Sequence, residues 1–122
     1  MTAPSICARR RVLIVEDHRD SADILAQLLT IKGFEVSVAR THAEAVETSL
    51  HERFDTIICD IALPDGNSYD LPRQVKAEHP TTRMLAFTAL GMPTDVRACR
   101  DAGFDDHLLK PLDLDKLLTL LS

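Results

Sequence analysis

Three carboxylates, one hydroxyl and one ammonium each stand directly after a short apolar run of this chain. They belong to Glu16 and Asp17, Asp60, Thr88 and Lys110. If the apolar runs form parallel strands of an open α/β sheet, their carboxyl ends meet at one edge of it. These five side chains are therefore predicted to converge on one pocket.

The chemistry of such a pocket follows from its charges. Two carboxylates roughly 4 Å apart repel by about 4 kcal/mol at an effective dielectric constant of about 20, so three of them need a compensating cation. Hard oxygen donors favour Mg²⁺ or Mn²⁺ over zinc. An aspartate can also act as a nucleophile toward phosphorus and form an acyl phosphate. Lys110 would offer a positive charge to a phosphate oxygen, and Thr88 a hydroxyl donor.

Composition limits the alternatives. A chain of 122 residues with 45% hydrophobic residues suits one compact domain. Fourteen Lys and Arg against nineteen Asp and Glu give a net charge of −5, which argues against a broad nucleic-acid-binding surface.

Cysteine use and the lack of long apolar runs indicate the compartment. Cys7, Cys59 and Cys99 are far apart and show no metal-ligand spacing, which favours a reducing cytoplasm. No segment resembles a signal peptide or a membrane span, so no membrane partner is expected. Residues 1–10 are predicted to be a flexible N-terminal tail, and residues 11–122 the folded domain.

The chain alternates strand and helix signals five times. Continuous or alternating apolar runs predict strands at 12–15, 34–38, 56–59, 84–87 and 106–109. Strict alternation implies a doubly wound parallel sheet with helices on both faces. The polar alternation of the second strand and the shortness of the fifth place both at the edges. We therefore expect an α/β, flavodoxin-like sheet of order 2-1-3-4-5 with five helices, whose switch point lies between the first and third strands.

Capping residues and apolar spacing predict the helices. Asp20 or Ser21 is expected to cap the first helix, and Gly33 to end it. The apolar face of this helix is predicted to comprise Ile24, Leu25, Leu28 and Ile31. The second helix is expected to begin with a capping box, Thr41-x-x-Glu44, and to turn Ala43, Val46 and Leu50 inward.

The remaining elements are marked by turn residues. Residues 63–67 read as a loop, and the third helix is predicted to start near Asp70 with Pro72 in its first turn. The fourth helix is expected to start at Pro93 and to end at Gly103. Asp113 is predicted to cap the last helix, whose inward residues are Leu114, Leu117, Leu118 and Leu121.

Four segments resemble one known family. The chain is similar, over Arg11 to Leu121, to the receiver (response-regulator, CheY-like) domains of bacterial two-component phosphorelays. The segments that carry the resemblance are VLIVEDHRDSADILAQLL, DIALPDGNSYDL, FTA and DAGFDDHLLKP. Each is weak alone, but their order and spacing are specific.

The resemblance implies a role for each residue of the pocket. Asp60 would accept a phosphoryl group from the phosphohistidine of a histidine kinase or a histidine phosphotransfer protein. Asp17 would bind Mg²⁺ directly and Glu16 mainly through water. The carbonyl of Ala62 would be another metal ligand. Lys110 and Thr88 would hold the phosphate oxygens, together with the amides of Ala62 and Ala89.

The family also implies a switch and an output surface. Phosphorylation would draw Thr88 toward the phosphate and vacate space that an aromatic residue of the fifth strand fills; here that position is His107. A downstream protein would bind the face of the fourth helix, fifth strand and fifth helix, which carries Arg97, Arg100, His107 and Lys116. Apart from self-phosphorylation and slow autodephosphorylation, no enzymatic activity is expected.

Two other functions stay open at this point. The chain could be a pseudo-receiver, an interaction module that is never phosphorylated. It could also be a Mg²⁺-dependent phosphatase, although Ala62 stands where such an enzyme would place its second acid. The segment ends near Ser122, which favours a single-domain receiver, or it could be one part of a hybrid kinase.

Overall fold

The computed structural model describes residues 10–63, 66–67, 69–88, 93–109 and 113–121. Five longer strands and five helices alternate along them. In chain order these elements are β1 (Arg11–Val15), α1 (Arg19–Ile31), β2 (Glu35–Ala39), α2 (His42–His51), β3 (Thr56–Asp60), α3 (Leu71–Glu78), β4 (Arg83–Thr88), α4 (Pro93–Ala102), β5 (Asp106–Leu109) and α5 (Leu114–Leu121).

The five strands form one parallel sheet in the order β2-β1-β3-β4-β5. This confirms the predicted 2-1-3-4-5 order and places β2 and β5 at the edges. In the centre, β1 and β3 are neighbours, with Val15 opposite Cys59. The switch point of the sheet thus lies between these two strands, and a site there is open at their carboxyl ends.

Each face of the sheet has its own hydrophobic core, because alternate strand residues point to opposite sides. On one side, Leu13, Ile57 and Met84 pack with residues of α2, α3 and α4. On the other, Val12, Ile14, Ile58 and Leu85 pack with α1 and α5. Cys59 and Cys99 are both buried in the first core.

Helix α1 buries only part of the predicted face: Leu25 is buried as predicted, but Ile24 and Ile31 are not. Its buried residues are Ala22, Leu25 and Leu29, whereas Ile24 is 59% exposed and Ile31 78% exposed. The helix carries two adjacent apolar stripes, and the stripe with the small Ala22 faces the sheet. The predicted cap was also wrong, since His18 rather than Asp20 or Ser21 is the N-cap.

Helix α2 begins as predicted, but its orientation differs. Thr41 Oγ1 accepts the peptide N–H of Glu44 at 3.1 Å. The buried residues are Ala45 and Ser49, while Ala43 and Leu50 are exposed, contrary to the prediction. Ser49 can be buried because its hydroxyl donates to the Val46 carbonyl at 3.0 Å.

Two glycines end helices in the left-handed backbone region, where a Cβ is unfavourable. Gly33 follows α1 with φ 99° and Gly103 follows α4 with φ 107°, as predicted. A Cβ at Gly103 would also stand 3.2 Å from the Cβ of Pro72, which lies buried in the first turn of α3. Pro72 is therefore accommodated partly because a glycine faces it.

Segments around these elements complete the fold. Residues 62–63 and 66–67 form a short antiparallel pair inside the region predicted as a loop. Asp113 caps α5 by accepting the Lys116 peptide N–H at 3.2 Å. Arg10 is the only residue of the predicted tail among those described, and it donates to the Leu121 carbonyl; the tail itself stays a prediction. None of the helices within the described ranges is long and apolar enough to cross a bilayer.

Candidate functional site: an acidic corner between β1 and β3

Three carboxylates meet at the carboxyl ends of the two central strands. Glu16 and Asp17 follow the last residue of β1, and Asp60 is the last residue of β3. One carboxylate oxygen from each lies within 4.8 Å of the others. The structure therefore brings together the three acids that the sequence predicted to share a pocket.

Burial differs among the three. Glu16 is 3% exposed and Asp60 6% exposed, whereas Asp17 is open to solvent. Oε1 of Glu16 accepts the peptide N–H of His18 at 3.1 Å, and the peptide N–H of Glu16 donates to the Ala39 carbonyl at 2.9 Å. Glu16 is thus held from both sides at the base of the corner, while Asp17 forms its solvent-facing rim.

This donor set fits a hard divalent cation. The carboxylates are oxygen donors, and they converge within the span of one coordination sphere. Two of them are buried, and burial leaves their mutual repulsion poorly screened. Among the described residues, these three form the one group of at least three His, Cys, Asp or Glu side chains that could hold a metal. A cation there would relieve the repulsion and leave coordination positions for water and a phosphoryl oxygen.

The other predicted site residues are placed only in part. Thr88 is the last residue of β4, next to β3, with Asp60 paired to Phe87. The backbone therefore brings Thr88 to the same sheet edge as Asp60. The backbone of Ala62 lies two residues beyond Asp60, paired with Asn67. Lys110 and Ala89 lie outside the described residues.

His107 lies on the edge strand β5. It is paired with Ala86 of β4, two residues before Thr88. The side chain is half-buried, with Nδ1 4.0 Å from Oδ1 of Asp106. It lines a polar cleft with Cys99 and Arg100 of α4 and with residues 104–106. His107 thus lies on the predicted output face, on the strand next to the one that ends at Thr88.

Two structural features were missed from the sequence, one beside the acids and one at the opposite edge of the sheet. His18 caps α1 and contacts Glu16 through its backbone, and histidine is not among the preferred N-cap residues. Asp105, before β5, accepts both the Lys76 ammonium and the Met84 peptide N–H. The bond from the His18 peptide N–H does not depend on the type of side chain, so the sequence does not indicate it. Lys76 and Asp105 are 29 residues apart, so no local sequence pattern indicates their contact.

Comparisons with known proteins agree with this geometry. Residues 12–122 match the sequence model of a protein family, the response regulator receiver domain. The chain is 35% identical over 116 residues to the response regulator protein PilR of Pseudomonas aeruginosa, covering 94% of this chain and 26% of PilR. The chain thus spans about a quarter of that relative's length.

Two solved structures share the fold over 93% of this chain. The receiver domain of the sensor histidine kinase PA1611 from Pseudomonas aeruginosa, with magnesium coordinated in its active-site cleft, is 28% identical with a TM-score of 0.84 over 95% of its length. A response regulator from Burkholderia pseudomallei, with a phosphorylated aspartic acid and a calcium ion, is 25% identical with a TM-score of 0.86 over 66% of its length.

Receiver domains are signalling modules, and this chain has the features of a receiver domain. The order of the five strands, the acids at the switch point and the match over residues 12–122 were each observed separately and agree. The chain therefore belongs to the response regulator receiver domain family.

Proposed function

We propose that Asp60 is the phosphoacceptor of a two-component phosphorelay. The observation that carries this assignment is the position of its buried carboxylate, within 4.8 Å of Glu16 and Asp17 at the switch point. An aspartate at the end of a central strand presents its carboxylate at the open edge of the sheet. A phosphorylated donor can approach it there.

The step is a phosphoryl transfer between two protein side chains. A carboxylate oxygen of Asp60 attacks phosphorus, the P–N bond of the donor phosphohistidine breaks, and its electron pair returns to the imidazole nitrogen. The product is an acyl phosphate on Asp60 and a free histidine on the donor. Lys110 and Thr88 are proposed to hold the phosphoryl oxygens, with the amides of Ala62 and Ala89.

Glu16, Asp17, Asp60 and the Ala62 carbonyl would hold the Mg²⁺ or Mn²⁺ ion. When bound, the ion neutralises charge on the carboxylates and on the transferred phosphoryl oxygens. Glu16 is held in place by the bond from the His18 peptide N–H to its carboxylate and by the bond from its own peptide N–H to the Ala39 carbonyl. The magnesium in the PA1611 receiver and the phosphorylated aspartate in the Burkholderia regulator support this part of the proposal.

Phosphorylation is proposed to change partner binding through Thr88 and His107. The phosphoryl group carries about −1.5 to −2 of charge and three acceptor oxygens. The net charge added at Asp60 is smaller, because the carboxylate loses its own negative charge when it becomes the acyl phosphate. The proposed output face comprises α4, β5 and α5, where Arg97, Arg100 and Lys116 are exposed and His107 is half-buried. The donor would be a histidine kinase or a histidine phosphotransfer protein, and the output partner a protein rather than a nucleic acid.

Intact-mass measurement tests the proposal directly. The chain is incubated with Mg²⁺ and acetyl phosphate, and we expect a mass gain of one phosphoryl group that is abolished by EDTA and by Asp60→Asn. Asp101→Asn is the matched control, because this exposed aspartate lies in the last turn of α4 and should not affect the gain. Helices that connect parallel strands end at the edge of the sheet opposite the carboxyl ends of the strands, where the acids lie. A gain that survives Asp60→Asn would contradict the assignment.

Two outcomes, one from this experiment and one from a separate hydrolysis assay, distinguish the alternatives. No gain under any condition would favour the pseudo-receiver. Multiple turnover of a phosphomonoester would favour the phosphatase. A cytoplasmic location is proposed as well, because Cys59 and Cys99 are buried cysteines that form no disulfide bond.

A further inference from the structure

His18 connects the acidic corner to the first helix. It is the N-cap of α1, with extended backbone angles of φ −78° and ψ 110°, and it directly follows Asp17. Its carbonyl accepts the peptide N–H of Ala22 at 3.0 Å, which is the first hydrogen bond of the helix. Only His18 therefore separates Asp17 from the first residue of α1.

The ring of His18 closes the helix end. Nδ1 accepts the peptide N–H of Ser21 at 3.2 Å and lies 2.9 Å from the Ser21 hydroxyl. Asn, Asp, Ser and Thr usually perform this task with a side-chain oxygen. Here a ring nitrogen accepts the bond. An aspartate at this position would bring a fourth carboxylate next to the three that already lie at the corner.

The backbone of the same residue holds the corner itself. Its peptide N–H donates to Oε1 of Glu16 at 3.1 Å, and Glu16 is almost completely buried. Rotation of the peptide group between Asp17 and His18 would break this bond. The ring, by anchoring His18 to α1, restricts that rotation, and Asp17 lies between the two anchored residues.

We propose that His18 is a positioning residue of the cation site: its ring anchors the peptide group that orients Glu16 and fixes the backbone from which Asp17 projects. The inference rests on the proposed function, since it concerns the affinity of the corner for Mg²⁺. Groups that orient metal ligands without touching the metal typically contribute about tenfold or more to affinity. A prearranged set of ligands also loses less freedom on binding.

Magnesium affinity of the full chain provides the test. The chain is freed of metal with EDTA, and Mg²⁺ is titrated while NMR shifts of the backbone amides are followed. We expect His18→Ala to raise the Kd for Mg²⁺ about tenfold. Because Asn is a good N-cap residue, His18→Asn should restore the Kd to within about twofold of the unmodified chain.

A second cap provides the matched control. Thr41→Ala removes the corresponding side-chain bond at the start of α2, where the capped peptide N–H belongs to Glu44 and not to a residue beside the three acids. We expect it to lower thermal stability as His18→Ala does, with no change in the Kd. Stability is measured separately in EDTA, and His18→Gly, which generally costs less than alanine at an N-cap, serves as the second variant if His18→Ala does not fold.

Each contrary outcome is distinct. Equal affinity of His18→Ala and the unmodified chain would overturn the role of His18 and leave the proposed function intact. Equal weakening by Thr41→Ala, or failure of His18→Asn to restore the Kd, would also overturn it, because the effect would not come from the cap beside Glu16. If the unmodified chain does not bind Mg²⁺, both this inference and the proposed cation site fail.

Discussion

The ammonium of Lys76 lies 2.8 Å from each carboxylate oxygen of Asp105. Asp105 Oδ2 also accepts the peptide N–H of Met84 at 2.8 Å, and the Asp105 peptide N–H donates to the Met84 carbonyl at 2.7 Å. One aspartate thus joins α3, the start of β4 and the segment that enters β5. The backbone bond and the ion pair should contribute unequally to stability.

Asp105→Ala is expected to lower the free energy of unfolding by about 2 kcal/mol, because the Met84 peptide N–H loses its acceptor in a partly buried place. Lys76→Met should cost less than about 1 kcal/mol, since the two side chains are 30% and 37% exposed and solvent screens their attraction. Urea denaturation measures both values. Arg73→Ala, which removes the more exposed pair with Asp70, should be close to neutral; a Lys76→Met cost equal to that of Asp105→Ala would contradict this ranking.

The two helix-ending glycines separate backbone strain from steric conflict. Gly33→Ala should cost about 1 kcal/mol, because φ is positive and no atom stands within 4 Å of the new Cβ. Gly103→Ala should cost more, about 2 to 3 kcal/mol, because its Cβ would also press on Pro72. Thermal unfolding of the two variants tests the difference, and equal costs would mean that the neighbouring proline moves aside freely.

The orientation of α1 can be tested with two truncations of similar size. Leu29→Ala should lower the free energy of unfolding by about 2 to 5 kcal/mol, because Leu29 is fully buried against the sheet. Ile31→Ala should change it by less than about 0.5 kcal/mol, because Ile31 is 78% exposed. Guanidinium denaturation compares them, and a large loss at Ile31 would support the face predicted from the sequence.

Charge repulsion in the acidic corner should appear in stability without phosphorylation. In EDTA, Asp60→Asn is expected to raise the free energy of unfolding by about 1 kcal/mol, because one of three mutually repelling carboxylates is removed. Mg²⁺ at about ten times its Kd should stabilise the unmodified chain by about 1.4 kcal/mol. The gain should be smaller for Asp60→Asn. Stability curves with and without Mg²⁺ measure these differences, and identical curves would argue against a cation at the corner.

The sheet and the position of its acids could be predicted because the central strands are uninterrupted apolar runs in the sequence. Apolar runs such as 12–15 and 56–59 are buried on both faces, so their sequence shows one pattern whichever helix covers them. The residues that follow these runs must lie at the edge of the sheet. Glu16, Asp17 and Asp60 were therefore placed together by the order of the strands alone.

The helix orientations were less predictable, because α1 offers two apolar stripes and α2 offers few large apolar residues. Nothing local indicates that Ala22 and Leu29 face the sheet while Ile24 and Ile31 face solvent. Burial of Ser49 in α2 depends on a hydroxyl bond back to Val46. These choices are made by tertiary packing, which a single sequence does not display.

The two cysteines buried in the core can report when the structure around them opens. Cys59 is fully buried in the central strand beside Asp60, and Cys99 is 2% exposed in α4. A thiol reagent can reach either one only while its surroundings are open, so the labelling rate measures the fraction of open molecules when reclosing is fast. Cys59 reports loss of the central sheet, whereas Cys99 also reports detachment of α4 alone. Once Cys7 is replaced by serine so that it does not react, these two thiols are internal probes that can distinguish global unfolding from movement of the proposed output face.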